Sequence, residues 1–291
     1  MRMKVLMALS LATSPAAVLM AQVRYTGPIV DVNVRASPPS EARMREFDQN
    51  RVTHAVIFGS DSAMNAWAQR WRGHLIPSIT LPCPSPDCYR SGTTFPDVQW
   101  ARTQLKEGRA RAFGELMQQF AGMRPDDPKL EPYFALADEF DVPVGIHLSL
   151  APPFVTGINP LFRTYLGRPE LIEDVLAKHP KLRVYVTHAG FPWGEEMAAI
   201  LYMYPNVSVD ISAIALPWFT APGVFHDYLR RLVSLGFSNR IMFGSDVESA
   251  SATGETIEAI ETATFLTSEQ KRAIFCDNAR KFFRITDLRC E

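Results

Sequence analysis

Four short apolar runs in this 291-residue chain end in a residue that can titrate. They are Ala112-Phe113-Gly114-Glu115, Pro143-Val144-Gly145-Ile146-His147, Val184-Tyr185-Val186-Thr187-His188 and Ile241-Met242-Phe243-Gly244-Ser245-Asp246. Two imidazoles and one carboxylate are a common ligand set for catalytic zinc, and they leave a position open for water. A further carboxylate nearby can take a proton from that water and pass it to a leaving group. For either histidine alone, a buried ring satisfied by hydrogen bonds is the plain alternative. The chemical reading rests on the repetition, because acid or imidazole recurs at the same relative place in all four runs.

The elements that must position these residues follow from the apolar pattern. Candidate strands are Ile29–Val34, Thr53–Phe58, Leu75–Thr80, Ala110–Gly114, Val142–His147, Arg183–Thr187, Val207–Ile211 and Arg240–Phe243. Most are nearly continuous Val/Ile/Leu/Phe stretches, as expected of parallel strands buried on both faces. Amphipathic segments such as Pro128–Phe140, Pro169–His179 and Phe225–Leu235 lie between them. Several carry a proline near the first turn, where its missing N–H is not needed. Eight strands alternating with helices predict an α/β fold, a closed (β/α)8 TIM barrel. In such a barrel the C-terminal strand ends share one mouth, so Glu115, His147, His188 and Asp246 are expected to converge there. An open doubly wound sheet is the alternative, but nothing Gly-rich follows the first strand as a dinucleotide site requires. The loops Leu81–Pro96 and Ala151–Arg168 are long enough to serve as rim or lid. With no internal repeat and no low-complexity tract, one domain is the simplest account.

The segments Phe113-Gly114-Glu115-Leu116, Gly145-Ile146-His147, Thr187-His188-Ala189-Gly190 and Phe243-Gly244-Ser245-Asp246 resemble the strand 4, 5, 6 and 8 signatures of the amidohydrolase superfamily. The likeness is closest to its amidohydrolase-related, metal-dependent hydrolase branch. It implies that Glu115, His147 and His188 hold one metal, and that Asp246 binds metal or shuttles protons. The family's first strand usually ends in Asp-x-His-x-His, whereas here it is Asp31-Val32-Asn33-Val34-Arg35. Asparagine is a poor, neutral ligand, and arginine is a fixed cation that repels a metal. A binuclear site is therefore not expected.

Three readings follow. A single divalent ion, zinc above all, activates water against an amide, ester or lactone, with Asp246 as general base and Arg35 on a substrate carboxylate. Alternatively, the barrel works without metal, with the catalytic candidates His188 and Asp246 as acid and base, chemistry that lactonases of the superfamily show to be possible on the fold. In the third, a degenerate site binds a ligand without turnover. Non-oxidative decarboxylation is the nearest alternative reaction, since decarboxylases share this branch and an overlapping ligand set.

Other residues carry weaker expectations. Trp193 and Trp218 follow the sixth and seventh strands and are candidates for lining a substrate pocket or packing the rim. Glu248 could support the site or face solvent. His54 and His74 fall at the far end of their strands from the mouth, which predicts structural roles. His179 ends a helix, where a cation favours the dipole, and His226 is expected near the surface.

The whole chain sets outer bounds. It is 47% hydrophobic and 21% charged with a formal net charge of -1, an ordinary globular composition. A pI near 6.6 gives no electrostatic reason for a nucleic-acid partner. A small-molecule substrate, anionic to suit Arg35, is the expected partner, and the charge balance is compatible with a homodimer. Residues 1–21 combine a basic start, Arg2 and Lys4, with an acid-free apolar run, the pattern of a signal peptide. The barrel domain is then 22–291, placed in the periplasm or secreted, and no membrane span is expected in it. Four cysteines permit two disulfides, and Cys83–Cys88 with Cys276–Cys290 is the most local of three pairings.

Overall fold

A computed structural model describes residues 24–37, 39–82, 95–246 and 251–291. Eight parallel strands run in sequence order around one sheet: β1 (Ile29–Ala36), β2 (Val52–Gly59), β3 (His74–Leu81), β4 (Ala112–Leu116), β5 (Val144–His147), β6 (Val184–Thr187), β7 (Val207–Asp210) and β8 (Ile241–Met242). The sheet closes where the Val32 N–H donates to the Phe243 carbonyl at 3.0 Å and the Asp246 N–H to that of Asn33 at 2.7 Å. With helices between successive strands, the architecture is the (β/α)8 barrel.

The strand boundaries fall within two residues of those expected from sequence. β5 begins at Val144 because Pro143 has no N–H to give the ladder. The segment Pro169–His179 is divided, with a 3-10 turn at Pro169–Ile172 leading into an α-helix at Glu173–Lys178. Helix Pro222–Ser234 begins on its proline and buries Phe225, Leu229 and Leu232 against the barrel. The loop after β5 holds a helical turn at Val155–Ile158 and a 3-10 turn at Thr164–Gly167, and leaves Phe154, Ile158 and Tyr165 exposed. Most of the other predicted rim loop, and Cys83 and Cys88, lie outside the described residues.

Alternation along the strands divides the apolar core in two. Val184 and Val186, Ala55 and Ile57, and Ile241 and Phe243 face the helix layer. Tyr185, Val56 and Met242 face inward and pack with Val30, Ile76 and Ala112. Toward the mouth the inward series turns polar by the same two-residue step: Tyr185 to Thr187, Gly145 to His147, Ser208 to Asp210. At the opposite end Phe283, Ile285, Leu288 and Cys290 plug the barrel, and Cys276–Cys290 is disulfide-bonded as predicted.

Two of the irregularities in strand pairing serve the mouth. Between Phe113 and Leu116, β4 spends three residues where β5 spends two, from Val144 to Ile146. Likewise β1 runs from Asp31 to Val34 against Ala55 to Ile57 of β2. Each extra residue is a bulge, which re-aims the side chains beyond it. Glu115 sits in the first bulge, and Arg35 follows directly after the second.

A buried triad under an arginine: the candidate active site

Glu115, His147 and His188 are buried and brought together, with one ligand atom from each lying within 4.8 Å of the others. Such a spread leaves a common point within about 3 Å of all three, and closing on an ion at about 2.1 Å needs shifts of under an ångström. The rings of His147 and His188 face each other edge-on at 5.0 Å, and Phe120 packs on His147 at 4.9 Å.

Neighbours fix how each imidazole presents itself. The Gln119 amide nitrogen donates to the Ser149 and Arg163 carbonyls, so its oxygen, 2.8 Å from His147 Nδ1, must accept. His147 Nδ1–H is thus the donor and Nε2 carries the lone pair. Burial pushes the His147 pKa down to about 3, which keeps the ring neutral. His188 Nδ1 lies 2.9 Å from the Ser212 carbonyl, which can only accept, and again Nε2 is turned inward. An outer acceptor on each ring is the usual way to orient a metal-ligating histidine.

The acid is held as a carboxylate. Burial by itself would raise the Glu115 pKa, but the His188 hydrogen bond and the charges of His188 and Arg35 outweigh it and hold the group below the usual range. Thr187 donates its hydroxyl to Glu115 Oε1 at 2.6 Å, and His188 Nε2 lies 3.3 Å from the same oxygen. Burial would lower His188, but its contact with Glu115, aided by Asp246 and Asp210, raises it to about 9. In the metal-free state the pair is therefore an ion pair, and an ion entering must displace a proton.

Arg35 caps the cluster. Its Nε donates to Asp246 Oδ1 at 2.9 Å and its Nη2 lies 3.4 Å from Glu115 Oε2, so one guanidinium bridges the two carboxylates. A third of the Arg35 side chain reaches solvent, and its guanidinium carbon stands 5.7 Å from the Phe58 ring centre. Asn33 donates to Ser212 Oγ at 3.0 Å and, more weakly, toward Asp210. Asp246 thus stands beside the triad and pairs with Arg35, although sequence also suggested it as a metal ligand. The His147 Nε2 lone pair, the His188 Nε2 once its proton is displaced, and a buried carboxylate fit one divalent ion. The first-strand position beside them is filled by a cation and a committed amide.

The remaining sequence candidates fall into place unevenly. Trp218 is 54% exposed and packs edge-on against Phe219, and Trp193 precedes helix Gly194–Met203. Neither tryptophan is in ring contact with His147 or His188. Glu248 lies outside the described residues. His179 is buried between Asp138 and Glu131, at 2.6 and 3.3 Å, and bridges helices as well as ending one. His226 is half-buried rather than on the surface, with Nε2 2.8 Å from the Ala259 carbonyl.

Sequence reasoning missed Gln119, Thr187, Ser212 and Asp210. Asp210 could have been found, since it ends the seventh apolar run just as Glu115 and His147 end theirs. Gln119 carried no signal, because its role depends on a 3-10 turn, Gln118–Ala121, folding back under β5.

Comparison with known proteins bears on the barrel that carries these residues. No curated protein sequence matches the chain. An uncharacterised TIM-barrel protein from Bordetella bronchiseptica is 17% identical, covering 88% of this chain and 98% of its own at a TM-score of 0.62. A putative 2-pyrone-4,6-dicarboxylic acid hydrolase from Pseudomonas putida is 16% identical, covering 91% and 100% at 0.61. The 5-carboxyvanillate decarboxylase of Novosphingobium aromaticivorans, complexed with manganese, is 15% identical, covering 90% and 99% at 0.57. At these identities the likeness establishes the fold. A family model described as amidohydrolase matches residues 14–285, nearly the full length, and the chain accordingly belongs to the amidohydrolase family.

Proposed function

We propose that the protein is a hydrolase that cleaves an amide, ester or lactone bond in a small anionic substrate with the help of one divalent ion, zinc foremost. The observation that carries this reading is the buried convergence of Glu115, His147 and His188, each imidazole already turned by an outer acceptor. These three residues would hold the ion, which when bound polarises a carbonyl and acidifies water. Asp246 takes the proton of the attacking water and returns it to the leaving group, while its Oδ1 stays anchored on Arg35. Arg35, reaching solvent at the mouth, orients a substrate carboxylate through its planar fork. Buried Thr187 and Ser212, with the half-buried ring of Phe120, keep the reacting atoms away from bulk water. Export behind residues 1–21 and assembly as a homodimer belong to the same reading, and the Cys276–Cys290 bond suits an oxidising compartment.

One observation favours a metal-free variant of this chemistry. Arg35 already supplies a positive charge between Asp246 and Glu115, and His188 and Glu115 are in direct contact. Elemental analysis of gently purified protein beside a His147→Ala variant separates the two. One ion more per chain in the parent than in the variant supports the metal-assisted hydrolase. Equal metal content in the two after incubation with divalent metals rules it out. Carboxylate-bearing lactones, esters and amides should then be screened for ring opening or cleavage, with carbon dioxide release followed in parallel. Decarboxylation without hydrolysis would overturn the assigned reaction, and ligand binding without turnover would leave a barrel that only binds.

A further inference from the structure

A second cluster of metal-ligating side chains lies at the opposite end of the barrel from the mouth. His54, in β2, and His74, the first residue of β3, are register partners. His54 Nε2 and His74 Nδ1 are 2.8 Å apart. Asp287, in the C-terminal segment that plugs the barrel, brings Oδ2 within 3.2 Å of His74 Nδ1 and Oδ1 within 3.9 Å of His54 Nε2. The three residues form the other group among those described that could hold an ion.

We propose that His54 Nε2, His74 Nδ1 and Asp287 form a second, structural site for a divalent transition metal of the zinc type. Ligand atoms on a tetrahedral ion with bonds of about 2.0–2.1 Å stand about 3.4 Å apart. The nitrogens stand 2.8 Å apart and the two Asp287 oxygens 3.2 and 3.9 Å from one nitrogen each, on either side of that value, so occupancy needs the rings to part slightly and one carboxylate oxygen to turn between them. Two imidazoles and one carboxylate are a borderline-soft donor set, which selects zinc, copper or nickel over calcium or magnesium. His54 is buried, and its Nδ1 sits 3.0 Å from Thr53 Oγ1, an outer partner that can accept a hydrogen bond from Nδ1–H and leave Nε2 as the ligand. His74 is largely exposed and can move its proton to Nε2, which faces no such constraint from the cluster. A pocket of about 360 Å³ opens beside the three residues and leaves room for water in the fourth position. Arg111 lines the same pocket, and its flexible cation has to swing toward solvent when an ion enters.

The site would join three stretches of chain distant in sequence. Asp287 lies between Ile285 and Leu288, both packed under the barrel, and the disulfide pins Cys290 just beyond. An ion here would clasp the C-terminal plug to β2 and β3, whatever chemistry occurs at the mouth.

The test uses zinc chloride and a His188→Ala chain, in which the mouth triad has lost a ligand. After equilibrium dialysis against micromolar zinc at pH 7.5, elemental analysis should find one ion per chain. Adding His74→Ala or Asp287→Asn should weaken that binding at least about tenfold. A zinc-dependent rise in Tm should accompany the first result and vanish with either added substitution. Both residues are more than half exposed, so neither substitution threatens the fold. Should His188→Ala not fold, the same two substitutions in the unaltered chain should each remove one ion and the zinc-dependent rise in Tm. Zinc bound equally with and without His74 and Asp287, or no zinc bound at this end at all, would overturn the proposal. Neither result bears on the mouth triad, whose ion is read by His147→Ala.

Discussion

At the residue scale, the mouth is governed by how buried polar groups are paired. Gln119 illustrates it, since its amide is locked by two carbonyls and therefore dictates the His147 tautomer. Gln119→Leu removes the acceptor from Nδ1–H and lets the ring turn or change tautomer. Metal affinity should fall roughly 10–100-fold with the ligands themselves intact, as read by competition with a chromophoric chelator. An unchanged affinity would mean that the ring is held by packing on Phe120 instead. Asp31 gives a pH signature. Burial raises its pKa to about 6, against hydrogen bonds from Ser245 and Asn33 and the charge of Arg43. Between about pH 4 and 6 the folded state thus holds a proton that the unfolded chain has released. Its contribution to stability is complete below about pH 4 and is lost as pH rises through 6. Asp31→Asn keeps an acceptor for the Ser245 N–H and should flatten that decline, so the variant gains on the parent as pH rises. Urea unfolding at pH 4.5, 6 and 7.5 measures the difference, and parallel curves would show that Asp31 does not titrate there.

At the scale of elements, the strand ends were legible because burial on both faces writes itself as unbroken apolar runs, each stopping where the chain reaches the polar mouth. Glu115, His147, His188 and Asp246 were found in this way. The bulges were not legible, since one extra residue in a strand leaves the same letters in the same order. The β4 bulge depends on two glycines. Gly114 has φ of +130°, and a Cβ there would stand 2.9 Å from the Gly145 carbonyl oxygen. A Cβ on Gly145 would collide with the buried ring of Tyr185. Gly145→Ala should therefore cost about 1–3 kcal/mol of stability and loosen the register that presents Glu115 and His147. Denaturant unfolding and metal affinity should fall together. A stable variant that binds metal normally would show that the ring can move aside.

At the scale of the whole molecule, the barrel carries the buried triad at one end and is closed at the other by its own C-terminal segment. The Cys276–Cys290 bond closes a loop with a sequence separation of 14. For a loop of that size the chain-entropy model gives about 3 kcal/mol. The double variant Cys276→Ala, Cys290→Ala should lower Tm by roughly 5–10 °C, measured by calorimetry. A smaller change would mean that packing of Phe283, Ile285 and Leu288 holds the plug unaided.

The sequence by itself determined the barrel, its eight strands and four chemical groups at its mouth, because residue type and two-residue periodicity are local properties that burial imposes directly. It also determined that Asn33 and Arg35 stand where the family usually places histidines. Only the tertiary structure decided that Arg35 bridges Asp246 and Glu115, that Gln119 and Ser212 turn the imidazoles, and that Asp287 meets His54 and His74 beneath the barrel. Each of these depends on distances between residues tens to hundreds of positions apart. Closure of the barrel, two bulges and the packing of the C-terminal segment set those distances, and none of them leaves a local trace in the chain.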